Sequence, residues 1–197
     1  MARDTLEASM QGMRSIWGPL SSEVVAGACE QLQRLADAPV TEDWLARLHR
    51  NGPANEELCR DPEHGFVLLA HTEQLGQYRA PHDHGRGWVV YAIQQGEIEM
   101  GTYARLESPD GSVRLVRRGA TLMRPGAVQV YLPGDIHDTR CLKGPALLFR
   151  FTERDLKKED MEEHQVTRYV RQDGTWTVAS AAPRDGRRLE AEGNLAS

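Results

Sequence analysis

Between residues 21 and 38 the apolar side chains Val24, Val25, Ala28, Leu32 and Leu35 fall three and four apart. That spacing predicts an amphipathic helix with one buried stripe, and Ser21 offers its hydroxyl as N-cap. A second helix is predicted from Thr41 to about His49. Thr41 stands as its cap, Glu42 and Asp43 place negative charge in the first turn, Trp44, Leu45 and Leu48 face inward, and Asn51-Gly52-Pro53 ends it. From Phe66 the period changes. Short apolar or alternating runs, broken by Gly, Pro and Asp roughly every ten residues, predict strands over 66–71, 88–94, 97–105, 112–116, 121–123, 127–132 and 146–152. Asp110-Gly111 is the strongest hairpin turn among the breaks. After Thr152 a charged stretch, 153–165, reads as a solvated helix or loop with its charges on a wet face. Segments 167–171 and 175–179 then flank Asp173-Gly174 as a late hairpin, with Trp176 packed on the preceding strands. The pattern is mainly β, an all-β barrel or sandwich behind N-terminal helices. One domain is expected, with a helical lead-in over 1–60, the barrel and its hairpin over 61–182, and a frayed tail over 183–197.

A chain of 197 residues suffices for one domain with a substantial core. With 24 Lys+Arg against 29 Asp+Glu, the formal net charge of -5 supplies no basic footprint for nucleic acid, and there is no polybasic block to hold a membrane surface. Small molecules are the expected partners. No apolar run reaches membrane-spanning length and the first residues lack the apolar stretch of a signal peptide, so a cytoplasmic protein is expected. Cys29, Cys59 and Cys141 are odd in number and scattered, which argues against a disulfide framework or a zinc Cys-x-x-Cys pair, and they read as reduced, buried thiols.

The candidate chemistry lies in the histidines. His49, His64, His71 and His164 read as isolated surface or hydrogen-bonded residues. His82 and His84 differ: residues two apart on an extended strand project from one face, so both imidazoles in Pro81-His82-Asp83-His84-Gly85 can grip one ion. Pro133-Gly134-Asp135-Ile136-His137 follows about fifty residues later at another strand start.

These two segments resemble the two boxes of the cupin superfamily. His82, His84 and Gly96 match the first box, Pro133, Gly134 and His137 match the second, and Val89 occupies the position of the usual liganding carboxylate. The resemblance implies a double-stranded β-helix (cupin or jelly-roll barrel) and a metal held by His82, His84 and His137. Without the carboxylate, three neutral imidazoles leave a divalent ion with its full charge and open coordination positions, which favours an anionic bidentate ligand and stabilises a coordinated thiolate. Three-histidine iron cupins include the thiol dioxygenases, and the chain is similar to that cysteine dioxygenase-like family. The family's Ser-x-His-x-Tyr triad is replaced here by Leu148, Arg150 and Thr152, and the cysteine that crosslinks to its tyrosine falls at Val89.

This resemblance implies iron(II), with zinc or nickel as ions that purified protein would carry in its place, and a small thiol or carboxylic-acid substrate together with O2. Arg150, set by strand alternation on the face opposite Leu147, Phe149 and Phe151, is a candidate to pair with the substrate's acid, although a solvated strand face is the alternative. Arg60 is a second candidate and equally a surface arginine. Tyr91, Tyr103 and Tyr131 lie on barrel strands, where a core role with a satisfied hydroxyl competes with donation to O2 or substrate; Tyr91 is retained as a candidate catalytic residue. Oxidation of a mercapto-carboxylic acid to its sulfinate is therefore the leading expectation. Two others stay open: cleavage of a carbon–carbon bond in a diketone or hydroxylated aromatic acid, and a metal- or ligand-binding cupin without turnover. The barrel also admits a homodimer.

Overall fold

The computed structural model describes residues 4–110, 112–172 and 174–179; the predicted tail over 183–197, and Gly111 and Asp173 of the two predicted turns, lie outside them. Three helices precede the sheet. The first, α1 (Thr5–Ile16), was not among the predicted elements; Leu6, Met10, Met13 and Trp17, four, three and four apart, carry its apolar stripe, diluted by Ser9 and Gly12. Ser21 caps α2 (Ser22–Ala36) as predicted, accepting from the Val24 amide. The cap of α3 (Asp43–Asn51) is Glu42, not Thr41. Instead of capping its own helix, the Glu42 carboxylate accepts the Thr5 amide at 3.0 Å and the Trp44 indole N–H at 2.5 Å, tying α3 to the start of α1. Gly52, at φ +51°, ends α3 in the left-handed conformation that glycine adopts without a Cβ penalty.

The strands are β1 (Glu56–Arg60), β2 (Val67–Glu73), β3 (Tyr78–His82), β4 (Val89–Glu107), β5 (Val113–Met123), β6 (Val128–Tyr131) and β7 (Ile136–Thr152), all antiparallel where they pair. A short helix, α4 (Leu156–Met161), and the hairpin β8 (Tyr169–Gln172) and β9 (Thr175–Val178) follow. β1 therefore opens the sheet inside the span expected to be a helical lead-in. β4 and β7 each run through positions that read as turns, and so does β5. β4 and β7 pair almost end to end, from Val89↔Thr152 to Tyr103↔Ile136. The first part of β4 and the last part of β7 lie between β6 and β2; the remaining parts lie between β5 and β3. Two sheet halves thus share a pair of long bent strands, which is the double-stranded β-helix.

The bend sits where register slips, between Ile93 and Ile98 on β4 and between Cys141 and Leu148 on β7. Gly96 is at φ +82°, and a Cβ there would lie 2.6 Å from the Ala146 Cβ, 2.7 Å from its Cα, and against the Lys143 carbonyl oxygen. One face of the sheet, with Leu68, Ala70, Val90, Ala92, Phe149 and Phe151, packs under Leu32, Leu35, Leu45 and Leu48 of the helices. Each Leu, Val or Phe among these side chains contributes about 1.5–3 kcal/mol by leaving water. The alternate residues, Val89, Tyr91, Ile93, Ile98, Met100 and Leu148 among them, form a second cluster between the sheet halves. Cys141 is buried there, while Cys29 and Cys59 are only half-buried, and all three are free thiols. No helix among the described residues is long and apolar enough to cross a membrane.

Because Gly96 combines a positive φ with a backbone neighbour where a side chain would go, Gly96→Ala is expected to lower the unfolding free energy by at least about 2 kcal/mol, read from the urea midpoint at constant slope.

Candidate metal centre

β3 ends at His82, and His82 pairs across the ladder with His137, the second residue of β7. The two predicted first-box ligands do not share a strand. His84 lies in the loop beyond β3, where Gly85 at φ +62° turns the chain, and the Asp83 carboxylate fixes that turn by accepting the Gly85 amide at 3.0 Å and the Thr167 amide at 2.8 Å. The loop nevertheless brings the rings together. Centroids stand 4.8 Å apart for His82 and His137, 5.0 Å for His84 and His137, and 5.4 Å for His82 and His84. One nitrogen from each lies within 4.8 Å of the other two.

This set fits a metal ion. The Nε2 atoms of His84 and His137 are 3.3 Å apart in a buried site, a spacing at which two imidazole nitrogens can serve a common cation. His82 turns its Nδ1 to the Ala80 carbonyl at 2.9 Å, which protonates Nδ1 and leaves Nε2 bare for coordination, the usual outer support of a liganding histidine. All three rings are held neutral. Burial, assisted by Arg150, Arg168 and Arg79 against the Ala80 hydrogen bond, lowers His82 to about 4; burial and the neighbouring histidines and Arg150 push His84 and His137 well below the ordinary range. Val89 is wholly buried in the cluster between the sheet halves, and the group of convergent ligand atoms among the described residues contains no carboxylate.

The tyrosines separate. Tyr131 stacks on His137 with centroids 3.9 Å apart, the Tyr91 hydroxyl lies 3.4 Å from His84 Nε2, and Tyr103 instead donates to Asp138 at 2.6 Å. His82 and His84 open onto a cavity of about 700 Å³ that Tyr91, Arg150, His71 and Glu73 also line, with His137 buried behind them. Arg150 is therefore on the inner face of β7, and its Nε is buried without a hydrogen-bond partner among the described residues. Arg60 is elsewhere. It is exposed on β1, its guanidinium bonded to Glu57 and Asp155, and it does not line the cavity.

Two residues of the site were missed. His71, read as a surface or hydrogen-bonded histidine, is 6% exposed and faces the cavity. Its position on β2, where Leu68 and Ala70 turn to the helices, was the available signal. Burial, then Arg150 and Arg79, lowers its pKa to about 3 despite a hydrogen bond to the Ala54 carbonyl. Glu159, in the stretch read as a wet face, is 2% exposed and accepts the Arg86 amide and guanidinium at 2.9 Å, clasping the loop that carries His84; Glu163 pairs with the same guanidinium.

No protein-family model matches the sequence, and no curated protein matches it. Among solved structures the chain is similar to the Cnp3 cupin domain of Schizosaccharomyces pombe, with 14% identity over 56% of this chain and 69% of that one at a TM-score of 0.41. It is similar to KdgF from Halomonas sp., with 16% identity over 50% and 74% at a TM-score of 0.40. It is also similar to a cupin superfamily protein of Desulfitobacterium hafniense DCB-2, with 15% identity over 51% and 76% at a TM-score of 0.40. At this level neither activity nor ligand passes from those proteins to this chain. Fold and site together define a double-stranded β-helix with a buried three-histidine cluster able to hold one metal ion.

Glu159→Ala is expected to weaken metal binding about tenfold by loosening the His84 loop, measured by competition with a chelator. The sign for His71 is opposite to that of a histidine held charged in an ion pair. Its folded pKa of about 3 lies below the ordinary unfolded value of 6.5, so its contribution is complete above about pH 6.5 and is lost as pH falls toward 3. Between pH 6.5 and 4.5, His71→Leu is expected to lose less unfolding free energy than wild type by on the order of 2 kcal/mol, measured by urea titration at each pH.

Proposed function

We propose that this protein uses iron(II) held by His82, His84 and His137 to oxidise a small thiol-bearing carboxylic acid to its sulfinate with O2. The observation that carries this reading is the combination of three neutral nitrogen ligands, with no carboxylate among them, and an unpartnered Arg150 Nε facing the same cavity. Iron(II) bound there would supply the redox chemistry and acidify a coordinated thiol. The balance closes without a further reductant: RS⁻ + O2 gives RSO2⁻, both oxygen atoms end on sulfur, and sulfur loses the four electrons that O2 gains.

The chain's own residues bind and orient. Arg150 takes the substrate carboxylate in a charge-assisted pair, and fixing that end holds the sulfur at the histidine end of the cavity, which makes the encounter with O2 effectively intramolecular. Tyr91 stays protonated because burial raises its pKa against the opposing influence of Arg150, and its hydroxyl near His84 donates a hydrogen bond to an oxygen atom arriving there. Tyr131 and the buried walls keep His137 dry. The substrate acid, O2 and the cytoplasm are the partners and setting that follow from this reading.

Iron-loaded protein is expected to consume O2 with at least one of cysteine, 3-mercaptopropionate and mercaptosuccinate and to release the matching sulfinate, identified by NMR. His137→Ala is expected to lose the ion, and Arg150→Met to raise KM at least about tenfold. Iron-loaded protein that takes up no O2 with any of these three acids, nor with 3-mercaptolactate, would overturn the proposal.

A further inference from the structure

The cavity onto which the histidine cluster opens carries a second, smaller arrangement on its wall. His71 on β2 and Arg150 on β7 are inward-facing residues of neighbouring strands, in a register that pairs Leu69 with Arg150 and His71 with Leu148. They are diagonal neighbours, a separation that a long arginine side chain spans. His71 Nδ1 lies 3.2 Å from the Ala54 carbonyl oxygen, which can only accept, so Nδ1 carries the ring proton. In the neutral ring the other nitrogen, Nε2, is then a bare acceptor. It is buried, as is the Arg150 Nε–H donor, and neither has a hydrogen-bond partner among the described residues. One acceptor and one cationic donor therefore stand unmet, side by side, on the wall of one cavity.

An unmet buried polar atom is costly, so a ligand that satisfies both gains twice. It must present an anionic acceptor to Arg150 and, close to it, a donor to His71. A carboxylate with a hydroxyl on the adjacent carbon does this with one neutral donor for one acceptor. An ammonium in that place fits less well, because it brings positive charge beside Arg150 and Arg79 and two further donors to satisfy. Arg79 already holds Glu73, a carboxylate of the cavity wall, at 2.7 Å. A plain carboxylic acid leaves His71 Nε2 unmet.

We infer that His71 and Arg150 form a two-point receptor for a 2-hydroxy carboxylate, Arg150 taking the carboxylate and His71 Nε2 accepting from the hydroxyl. The inference rests on the function proposed above for what lies at the other end of the ligand, and within it the substrate class becomes a thiol-bearing 2-hydroxy acid. His71 is a specificity-determining residue in this arrangement and takes no part in moving electrons.

Titration calorimetry of the iron-loaded protein without oxygen tests it with two pairs of acids that differ only by the hydroxyl, 3-mercaptolactate against 3-mercaptopropionate and lactate against propionate. In wild type the hydroxy acid of each pair is expected to bind about tenfold tighter. His71→Leu is expected to erase that preference while leaving 3-mercaptopropionate and propionate within about twofold of their wild-type affinity, which also shows that the variant is folded and its Arg150 in place. Arg150→Met is expected to weaken all four acids by on the order of tenfold or more. Equal affinity within both pairs, a preference that survives His71→Leu, or failure of all four acids to bind would each overturn the receptor. A hydroxyl preference that disappears with His71, joined to no gain from the thiol and no O2 uptake, supports the receptor and removes thiol oxidation alone.

Discussion

The alternation of side chains along β4 and β7 is the constraint on which the rest of the molecule depends. Successive residues of a strand point to opposite faces, and these two strands are paired over nearly their whole length, so the register on each side of the bend assigns the residues of both. Phe149 and Phe151 go to the helices; Leu148, Arg150 and Thr152 go between the sheet halves, as do Val89, Tyr91 and Ile93 of β4. A slip of one residue would put two phenylalanines into the cavity and Arg150 under the helices. The helices are thus part of the site's construction. They absorb the apolar face and leave the polar one for chemistry.

The same alternation anchors His137. Asp138, the next residue, points to the opposite side, where its carboxylate accepts the Gly101 amide at 2.9 Å and the hydroxyls of Tyr78 at 2.9 Å and Tyr103 at 2.6 Å. Those partners come from β3 and β4, so the bonds tie the start of β7 to both neighbours and fix which way His137 faces. Gly101 is required for this approach, because a Cβ there would meet the Asp138 carboxylate, its carbon at 3.2 Å. On the other side of the site the buried Glu159 holds the His84 loop through Arg86. Carboxylates thus anchor both sides of the site, Asp138 beside His137 and Asp83 and Glu159 on the His84 loop.

Much of this was legible in the sequence. The change of period at Phe66 and the faces of residues 147–151 follow from local pattern, and local pattern is what a strand imposes; that His137 joins His82 and His84 was implied by the family resemblance. The failures share a cause. Gln95-Gly96 reads as a turn because a glycine with positive φ serves a turn and a bulge alike, and Gly144-Pro145 because a Gly-Pro pair punctuates strands; only the partner strand shows that the chain continues through both. Glu159 looks solvated until Arg86, far away in the chain, comes to meet it. His71 looks ordinary because the helices that claim Leu68 and Ala70, just before it, lie outside its own segment. The first-box histidines were correctly paired by spacing, but the geometry is that of a strand end and a turn, set by Asp83 and Thr167.

Arg150 and His71 also state what the fold gives up. Each leaves a buried polar atom without a partner, and a group of that kind costs about 1–3 kcal/mol against the same position filled by an apolar side chain of similar shape. Nearby charges follow the opposite rule: Arg79 is paired with Glu73, and Arg168 with Asp160, both pairs on the rim or wall of the same cavity. Where the fold could neutralise a cation, it did so with its own carboxylates. Leaving the Arg150 Nε and the His71 Nε2 unmet on the wall of the cavity that the histidine cluster opens onto makes physical sense when an anion from outside completes them, since the energy withheld from folding is then available to binding.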